Sequence, residues 1–220
     1  MDYRRIAEGA GPRIGVTQEW VYKVLHYGIV SGEIPGGTQL KQDEISHALN
    51  VSHIPVREAM RRLESLRLVH IQPNRGATVT QLDRGTILDM MEVRASLSSM
   101  LLLKSAPLLT DQDYAEMEEI LSREATDIGI KESEELNYRF HGLLFSHSNN
   151  PVAILFMDLI HVNIDRYLRH NFYAPQEMRE RTTREHREIM ETCRKGDYQK
   201  AAQLMSDHIL NAKDMIPEDL

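Results

Sequence analysis

The sequence has little cysteine and no long hydrophobic run. Cys193 is the single cysteine, which excludes an internal disulfide framework and a cysteine-rich zinc ribbon. The longest apolar runs, at residues 100–103 and 152–157, are far shorter than the ~20 residues that a membrane-spanning helix needs. The charged N-terminus is not followed by an apolar stretch, so no secretory signal is predicted and the expected location is the cytoplasm. Any bound metal must therefore use His, Asp, Glu or Asn ligands.

The charge is unevenly distributed along the 220 residues. The hydrophobic share of 41% and the charged share of 27% are typical of a globular chain. The net charge of −7 argues against a nucleic-acid partner, but residues 1–82 carry ten Lys and Arg against eight Asp and Glu, whereas residues 83–220 carry 16 against 25. This asymmetry predicts that the chain has two separate functions and that any contact with a polyanion is confined to its first third.

Helical periodicity begins only after a short N-terminal segment. Residues 1–16 show no periodicity and are predicted to form a flexible arm. Apolar residues recur at helical spacing over 17–31 and 42–49, and the second of these helices is expected to end at Asn50, which tolerates a left-handed conformation. Ser52 is expected to cap a third helix that runs to about residue 66. On this helix Arg57 and Arg61, four residues apart, project from one face.

The period changes to two after the third helix. Residues 68–72 and 77–81 alternate in polarity and flank Pro73-Asn-Arg-Gly76, which predicts a β-hairpin with a basic tip. Three short helices followed by a hairpin form a winged helix-turn-helix, which is therefore predicted over residues 17–82. In this arrangement the third helix reads the major groove and the hairpin is the wing.

The rest of the chain has helical patterns and no further strand signal, so the fold class is mainly α. Thr110 and Asp113 predict a capping box, and Gly196 with Asp197 ends one helix and starts the next. A second domain over residues 86–220 is therefore expected to be an antiparallel bundle of about six helices. The predicted helices are 86–104, 110–124, 132–148, 151–170, 175–195 and 198–213.

The first domain resembles the DNA-binding domain of GntR-family transcriptional regulators. The resemblance is carried by Gly32-Glu-Ile-Pro-Gly-Gly-Thr-Gln-Leu40, by Leu49-Asn-Val-Ser-His-Ile-Pro-Val-Arg-Glu-Ala-Met-Arg-Arg-Leu-Glu64 and by Arg75-Gly76. It implies a homodimeric regulator, expected to be a repressor, that binds a pseudo-palindromic operator in double-stranded DNA and responds to a small metabolite. The DNA-contacting positions that the resemblance implies are Ser52, Arg57, Arg75 and Gly76.

His53 departs from that pattern, since most members of the family carry Arg at this position. An Arg fork reads guanine or a narrow minor groove, whereas a neutral His offers one donor and one acceptor. We therefore include His53, together with Arg61, among the expected DNA contacts and expect the operator preference to differ from the commonest site of the family.

The second domain resembles the all-helical FCD effector domain of the FadR subfamily. The matching motifs are Asn137-x-x-Phe-His141, Ser148-Asn149-Asn150, Glu185-His186 followed by Ile189-Met190, Gly196-Asp197 with Ala201-Ala202, and Met205-x-x-His208. Together the two resemblances cover roughly residues 17–214.

Three histidines of this domain lie on the apolar stripes of three different helices: His141, His186 and His208. Any one of them alone is explained more simply as a hydrogen-bonded core residue. Three buried imidazoles without partners, however, would cost about 1–3 kcal/mol for each desolvated polar atom, and one divalent cation would satisfy all three. We therefore predict a metal site, with zinc as the first choice and nickel or manganese as alternatives.

The resemblance supports this interpretation, because metal-binding members of the subfamily use an Asp and three His. In this chain the Asp position is Asn137, whose neutral amide oxygen binds a metal more weakly. The site would then carry more positive charge, which favours an effector that bears a carboxylate. Arg94 matches a position that often points into the pocket and is expected to pair with that carboxylate. Four residues further on, Ser98 stands where members commonly have Glu.

Alternatives to this interpretation remain open. Asn137 could indicate a metal-free pocket, as in acyl-CoA-binding members of the subfamily, and Arg94 could form a surface ion pair with Glu92. A metal-only sensor would have the same architecture, with the ion itself as its effector. A metal-dependent enzyme could use Glu185 or Glu188 as general base, although no catalytic motif such as His-Glu-x-x-His accompanies the three His. An enzyme would also leave the winged helix unexplained, so we predict a protein that is not an enzyme.

Overall fold

The computed structural model describes residues 1–72, 75–126, 128–171 and 176–216. Within these ranges the chain forms ten α-helices, two short 3-10 segments and a three-stranded antiparallel sheet. The mainly helical fold predicted from the sequence is confirmed. The chain divides into two compact units, the first made of Met1–Asp83 and Leu159–Asn171 and the second of Arg84–Asp158 and Phe172–Leu220. In this division the later part of one long helix, Leu159–Asn171, is grouped with the N-terminal unit.

The first unit contains a helical core closed by a small sheet. Its elements are α1 (Tyr3–Ala10), α2 (Thr17–Val30), β1 (Gln39–Leu40), α3 (Gln42–Leu49), α4 (His53–Ser65), β2 (Val69–Gln72) and β3 (Gly76–Val79). The three predicted helices and the predicted hairpin are present. Asn50 ends α3 in the left-handed conformation, as expected, with φ of 50°. Ser52 occupies the N-cap position of α4, but its side chain makes no capping hydrogen bond, so that detail of the prediction is wrong.

The flexible arm predicted over residues 1–16 is wrong for its first part, which forms helix α1. The Asp2 side chain caps this helix by accepting hydrogen bonds from the backbone N–H groups of Arg4 and Arg5. Tyr3 and Ile6, on one face, are 3% and 2% exposed and belong to the core of the first unit. Burial of these two side chains stabilises a helix that would be too short to form alone.

The sheet contains one strand more than the predicted hairpin. β1 pairs with β3 on the side opposite β2, giving the strand order β1-β3-β2. Gly76 begins β3 with φ of +84°, and a Cβ atom there would lie 2.2 Å from the Leu40 carbonyl oxygen. Glycine is therefore required at position 76 both by the backbone conformation and by the approach of β1.

The six helices predicted for the rest of the chain are present, and most of their ends lie within about two residues of the expected positions. They are α5 (Arg84–Ser105), α6 (Asp111–Glu124), α7 (Ile130–Phe145), α8 (Pro151–Asn171), α9 (Gln176–Arg194) and α10 (Tyr198–Asn211). The predicted capping box of Thr110 and Asp113 is present at the start of α6. Gly196 has φ of +80° and the Asp197 side chain caps α10, as predicted.

The core of the second unit lies among α5, α6, α7, α9, α10 and the first part of α8. Phe140 of α7, Ile189 and Met190 of α9 and Met205 of α10 are at most 1% exposed and belong to one buried cluster. Each of these residues lies within four positions of a histidine on its own helix. The same apolar faces that bury the core therefore turn one histidine from each of three helices inward.

Candidate functional site

Three buried histidines from three helices converge at one point of the second unit. His141 lies on α7, His186 on α9 and His208 on α10, and one ring nitrogen from each lies within 4.8 Å of the others. His141 and His186 are 7% and 0% exposed, and the His208 side chain is 10% exposed. Phe140 stacks on the His186 ring with 4.3 Å between centroids, which restrains the orientation of that ring. The geometry brings together the three imidazoles that the sequence singled out, as a metal site requires.

The outer nitrogens of two of these rings face carboxylates. His208 Nδ1 lies 2.7 Å from Glu185 Oε2, and His186 Nδ1 lies 3.4 Å from Glu124 Oε2. Because an ionised carboxylate only accepts hydrogen bonds, this network assigns the proton of each neutral ring to Nδ1. Both Nε2 atoms then carry lone pairs that point inward. Histidines that bind metals usually have this arrangement, with a carboxylate or carbonyl behind the ring.

The distance between the two inner nitrogens fits a shared cation. His186 Nε2 and His208 Nε2 are 3.2 Å apart. Two nitrogens bound to one zinc ion at about 2.0–2.1 Å, at an angle between about 90° and 109°, would be about 2.8–3.4 Å apart. Two facing lone pairs repel each other, and either a proton or a metal ion between them would remove that repulsion. The donor set therefore fits a divalent cation that accepts imidazole ligands.

The electrostatics of the site favour the metal over the proton. The pKa of His208 is lowered to about 4, chiefly by burial; the nearby charges of His186 and Arg94 act in the same direction, while Glu185 opposes the shift. Burial alone would raise the pKa of the Glu185 carboxyl, but hydrogen bonds from His208 and Arg181 lower it to about 2. At neutral pH, His208 is therefore a neutral imidazole in front of a carboxylate, which is the state that binds metal ions.

Asn137 and Arg94 lie in this region of the unit. Asn137 is half-buried one helical turn before His141, which places both residues on one face of α7. Arg94 is half-buried on α5, and its charge acts on His208. Ser98, one turn after Arg94, is fully buried and its hydroxyl lies 3.8 Å from Met157 Sδ. Metal binding by Asn137 and effector binding by Arg94 stay predictions.

Sequence reasoning missed the carboxylate behind His186. Glu124 ends α6 and its side chain is 5% exposed. It is far from His186 in sequence, and it lies on a helix with many other acidic residues, so no local pattern distinguished it. Glu185 was predicted as part of a family motif and as a possible general base, whereas the structure shows it behind His208. Its position next to His186 in the sequence was the available signal.

The expected DNA contacts of the first unit lie on the exposed side of α4 and in the wing. His53, Arg57 and Arg61 have side chains that are 61%, 53% and 62% exposed. His53 Nδ1 lies 3.4 Å from the Asp43 carboxylate of α3. Glu58 lies 3.7 Å from Arg57 and 3.1 Å from Arg61, so part of the cationic charge of this face is compensated on its own helix.

The wing is anchored to the first strand. The exposed Arg75 leads into β3, and its carbonyl oxygen accepts a hydrogen bond of 3.0 Å from Gln39 Nε2. Ser52 is exposed at the start of α4. The hairpin residues at positions 73 and 74 lie outside the described residues. The predicted contact residues of α4 are thus available to a ligand, while Gly76 has the structural role described above.

Comparison with known proteins identifies the class. Residues 89–211 match the FCD domain, and residues 17–79 match the gntR family of bacterial regulatory proteins. This chain belongs to the GntR family of transcriptional regulators, with an FCD domain. The GntR regulator is 27% identical over 203 residues to the HTH-type transcriptional repressor RspR of Escherichia coli, covering 90% of this chain and 87% of that protein. It is 29% identical to the HTH-type transcriptional regulator YdhC of Bacillus subtilis, with 85% of each chain covered.

Solved structures support the same fold for the GntR regulator. Escherichia coli McbR/YncC matches with a TM-score of 0.69 at 21% identity, over 90% of this chain and 95% of that one. A GntR regulator from Rhodococcus sp. RHA1 matches with the same TM-score and coverages at 22% identity. Since the families and relatives are transcriptional regulators, the GntR regulator is a DNA-binding protein and not an enzyme. In the described part of the chain, no helix has the length and apolar character needed to cross a membrane.

Proposed function

We propose that this GntR regulator is a cytoplasmic, homodimeric repressor whose DNA binding is controlled by a small carboxylate bound at a three-histidine metal centre. The observation that carries the proposal is the convergence of His141, His186 and His208, two of them backed by carboxylates, in a chain whose other unit is a winged helix-turn-helix. The similarity to RspR, which is named a repressor, supports the direction of regulation.

DNA recognition in this proposal uses the exposed N-terminal half of α4 and the wing. Ser52, His53 and Arg57 lie at the end of the helix that enters the major groove, where base edges are read. Arg61 and Arg75 supply phosphate contacts, which fix the register of the protein on the duplex. Each subunit reads one half-site, so a pseudo-palindromic operator requires a homodimer.

The metal centre would be held by the three imidazoles, with the Asn137 amide oxygen as a fourth ligand. Three nitrogen donors favour zinc or nickel over manganese, which prefers oxygen ligands, and zinc remains our first choice. All four ligands are neutral, so the full charge of the ion is retained. The ion supplies a Lewis acid that binds the effector carboxylate. Arg94, whose charge already acts on His208, would pair with the same carboxylate.

The metal centre is tested by isothermal titration of zinc into protein stripped with EDTA. We expect saturable binding that is lost in the His141→Ala variant. His47→Gln, which changes an exposed histidine of the other unit, serves as the matched control and should bind zinc as the wild type does. Equal zinc binding by the wild type and His141→Ala would refute the centre.

The effector is tested by a thermal-shift screen of small organic and sugar acids on the zinc-loaded and EDTA-treated protein. We expect a stabilising carboxylate only with zinc present, and a weaker shift in the Arg94→Ala variant. Stabilisation of the EDTA-treated protein to the same extent would favour the metal-free pocket instead. A change in DNA affinity on adding zinc alone, with no response to any acid, would favour the metal-only sensor.

DNA binding is tested by a gel shift on the DNA immediately upstream of the gene that encodes this chain. We expect a sharp shift at nanomolar to micromolar protein, with an affinity that falls as salt rises. Analytical ultracentrifugation at micromolar concentration should show a dimer. A monomer, or binding without sequence preference, would contradict the proposed mode of recognition.

A further inference from the structure

A buried amide of α8 holds the end of the recognition helix. Asn163 is 1% exposed and belongs, with the other residues of Leu159–Asn171, to the first unit. Its Nδ2 group donates to the Leu66 carbonyl oxygen at 3.1 Å and to the Leu159 carbonyl oxygen at 2.9 Å. Leu66 is the C-cap residue of α4, which is the helix that reads DNA. Leu159 lies one turn earlier on α8 itself.

The Asn163 side chain donates two hydrogen bonds, but in the described part of the chain its own acceptor atom is left without a hydrogen bond. Both partners of Asn163 are carbonyl oxygens, so the orientation of the amide is assigned by its donors. Its Oδ1 atom is buried and has no hydrogen-bond partner among the described residues. Buried polar atoms in folded proteins are almost always paired, and each exception calls for an explanation. A leucine would fill this position without that penalty, so the advantage of the asparagine lies in the hydrogen bonds that its Nδ2 group donates.

The Leu66 carbonyl belongs to a strained turn between the recognition helix and the wing. Arg67, the next residue, has φ of +58°, a left-handed conformation that is unfavourable for residues other than glycine. Further hydrogen bonds hold the turn, among them those from the Leu68 N–H to the Leu63 carbonyl at 3.0 Å and from Thr80 Oγ1 to the Arg67 carbonyl at 2.8 Å. This turn leads from α4 into β2 and so sets the direction of the wing relative to the recognition helix.

We infer that Asn163 is a positioning residue that holds the turn at Leu66 to Leu68 in its strained form, so that α8 controls how the recognition helix and wing are presented to DNA. Helix α8 begins in the other unit, where Ala153 and Met157 belong to the core that includes the residues around the three histidines. In this proposal, a displacement of the helix along its axis would move Asn163 relative to Leu66. The inference rests on the proposed DNA-binding mode and names the residue through which the second unit would act.

The first test measures the turn itself and needs no DNA. We expect the amides of Arg67 and Leu68 to exchange with solvent about tenfold faster in Asn163→Leu than in the wild type, because a lost hydrogen bond shifts a local opening equilibrium by roughly this factor. Asp158→Asn, an exposed change on the same helix, is the matched control and should leave both amides unchanged. Equal exchange in the wild type and Asn163→Leu would overturn the inference.

The second test separates positioning from general destabilisation by a double-mutant cycle with Arg67→Gly, which removes the strain of the turn. Asn163→Leu should weaken binding to the upstream DNA about fivefold in the Arg67 background and less than twofold in the Arg67→Gly background. The loss of the Arg67 charge cancels within the cycle. Equal losses in the two backgrounds would overturn the inference, and should Asn163→Leu fail to fold, Asn163→Ala takes its place in the cycle.

The third test addresses the route through α8. Zinc added to the EDTA-treated wild type should change the exchange rate of the Leu68 amide at least twofold, and it should leave that rate unchanged in Asn163→Leu. If zinc binds the wild type without changing this exchange rate, the proposed transmission from the histidine site through α8 is wrong. Should zinc not bind at all, the proposed metal centre fails, while the exchange and DNA measurements still decide the role of Asn163 in the turn.

Discussion

The two units of this regulator carry their functional residues in opposite ways. In the first unit the candidate DNA contacts of α4, among them Arg57 and Arg61, are exposed and lie close together on one helix. In the second unit the three candidate histidine ligands are buried and come from three different helices. A polyanion such as DNA binds at a surface, where the charged side chains of the protein remain solvated. A small metal ion binds where water is excluded and where deprotonated ligands offer their lone pairs. The comparison predicts that substitutions in the first unit mainly change DNA binding, whereas substitutions in the second unit mainly change metal binding.

The largest effect is expected for His186→Ala. The His186 side chain is fully buried between Phe140 and the other two imidazoles, so its loss removes one ligand and opens a cavity. Zinc affinity should fall on the order of 100-fold or more, since each ligand supplies a large share of the binding free energy. Titration calorimetry measures this change. The DNA affinity of the metal-free variant, measured by gel shift, should stay within about twofold of that of the metal-free wild type. A larger loss would show that the histidine site also affects DNA binding in the absence of metal.

The next effect is a loss of stability on acidification of the metal-free protein. The pKa of His208 is lowered from 6.5 to about 4, so below 6.5 the unfolded chain binds a proton that the folded chain does not. The free energy of unfolding should therefore fall as the pH drops from 6.5 towards 4, by about 2 kcal/mol at pH 5. Urea unfolding across this range measures the slope. In His208→Gln the contribution of this residue to the pH dependence of the free energy of unfolding should disappear. An unchanged pH dependence would contradict the lowered pKa of His208.

The sequence predicted the elements that depend on local patterns and missed those that depend on tertiary contacts. The recognition helix, the hairpin and the capping box of Thr110 and Asp113 depend on local patterns and were predicted correctly. Helix α1 was missed because its eight residues are stabilised by burial of Tyr3 and Ile6 rather than by their own propensity. Strand β1 was missed because two residues show no alternation, and its pairing with β3 is set by tertiary contacts.

The candidate metal site was predictable only in part. The three histidines could be selected because each lies on an apolar stripe, which predicts that it points inward. Their carboxylate partners could not, since the contact of Glu124 with His186 joins residues 62 positions apart. An acidic residue near the end of an amphipathic helix usually faces solvent, and the sequence does not reveal that this one is 5% exposed.

A smaller effect is expected for Glu185→Gln, which keeps the size of the side chain behind His208 and removes its charge. Changes in the partner behind a metal-binding histidine typically reduce metal affinity 10- to 100-fold, and we expect about tenfold because His208 keeps an acceptor for its Nδ1 proton. Zinc titration checks this value. Glu188→Gln, on the same helix, is the control, and an equal reduction in both variants would show that the effect is one of net charge alone.

The smallest effect is expected for Arg57→Ala in the first unit. Because Glu58 lies 3.7 Å from Arg57 and competes with DNA for it, we expect the loss at the low end of the usual range, about 1 kcal/mol or fivefold, with a smaller salt dependence. Gel shifts at several salt concentrations measure both. Arg187→Ala, which changes a half-buried arginine of α9 paired with Glu118, should leave DNA binding unchanged, and equal losses in the two variants would contradict the proposed reading face.

The most direct test of the whole account is the metal content of the full-length protein purified without chelator, measured together with carboxylate binding before and after EDTA treatment. The account predicts about one divalent ion for each chain, and carboxylate binding that disappears when the ion is removed. A protein that contains no metal and binds the carboxylate equally well in EDTA would contradict the central claim that the three imidazoles hold the ion through which the effector is sensed.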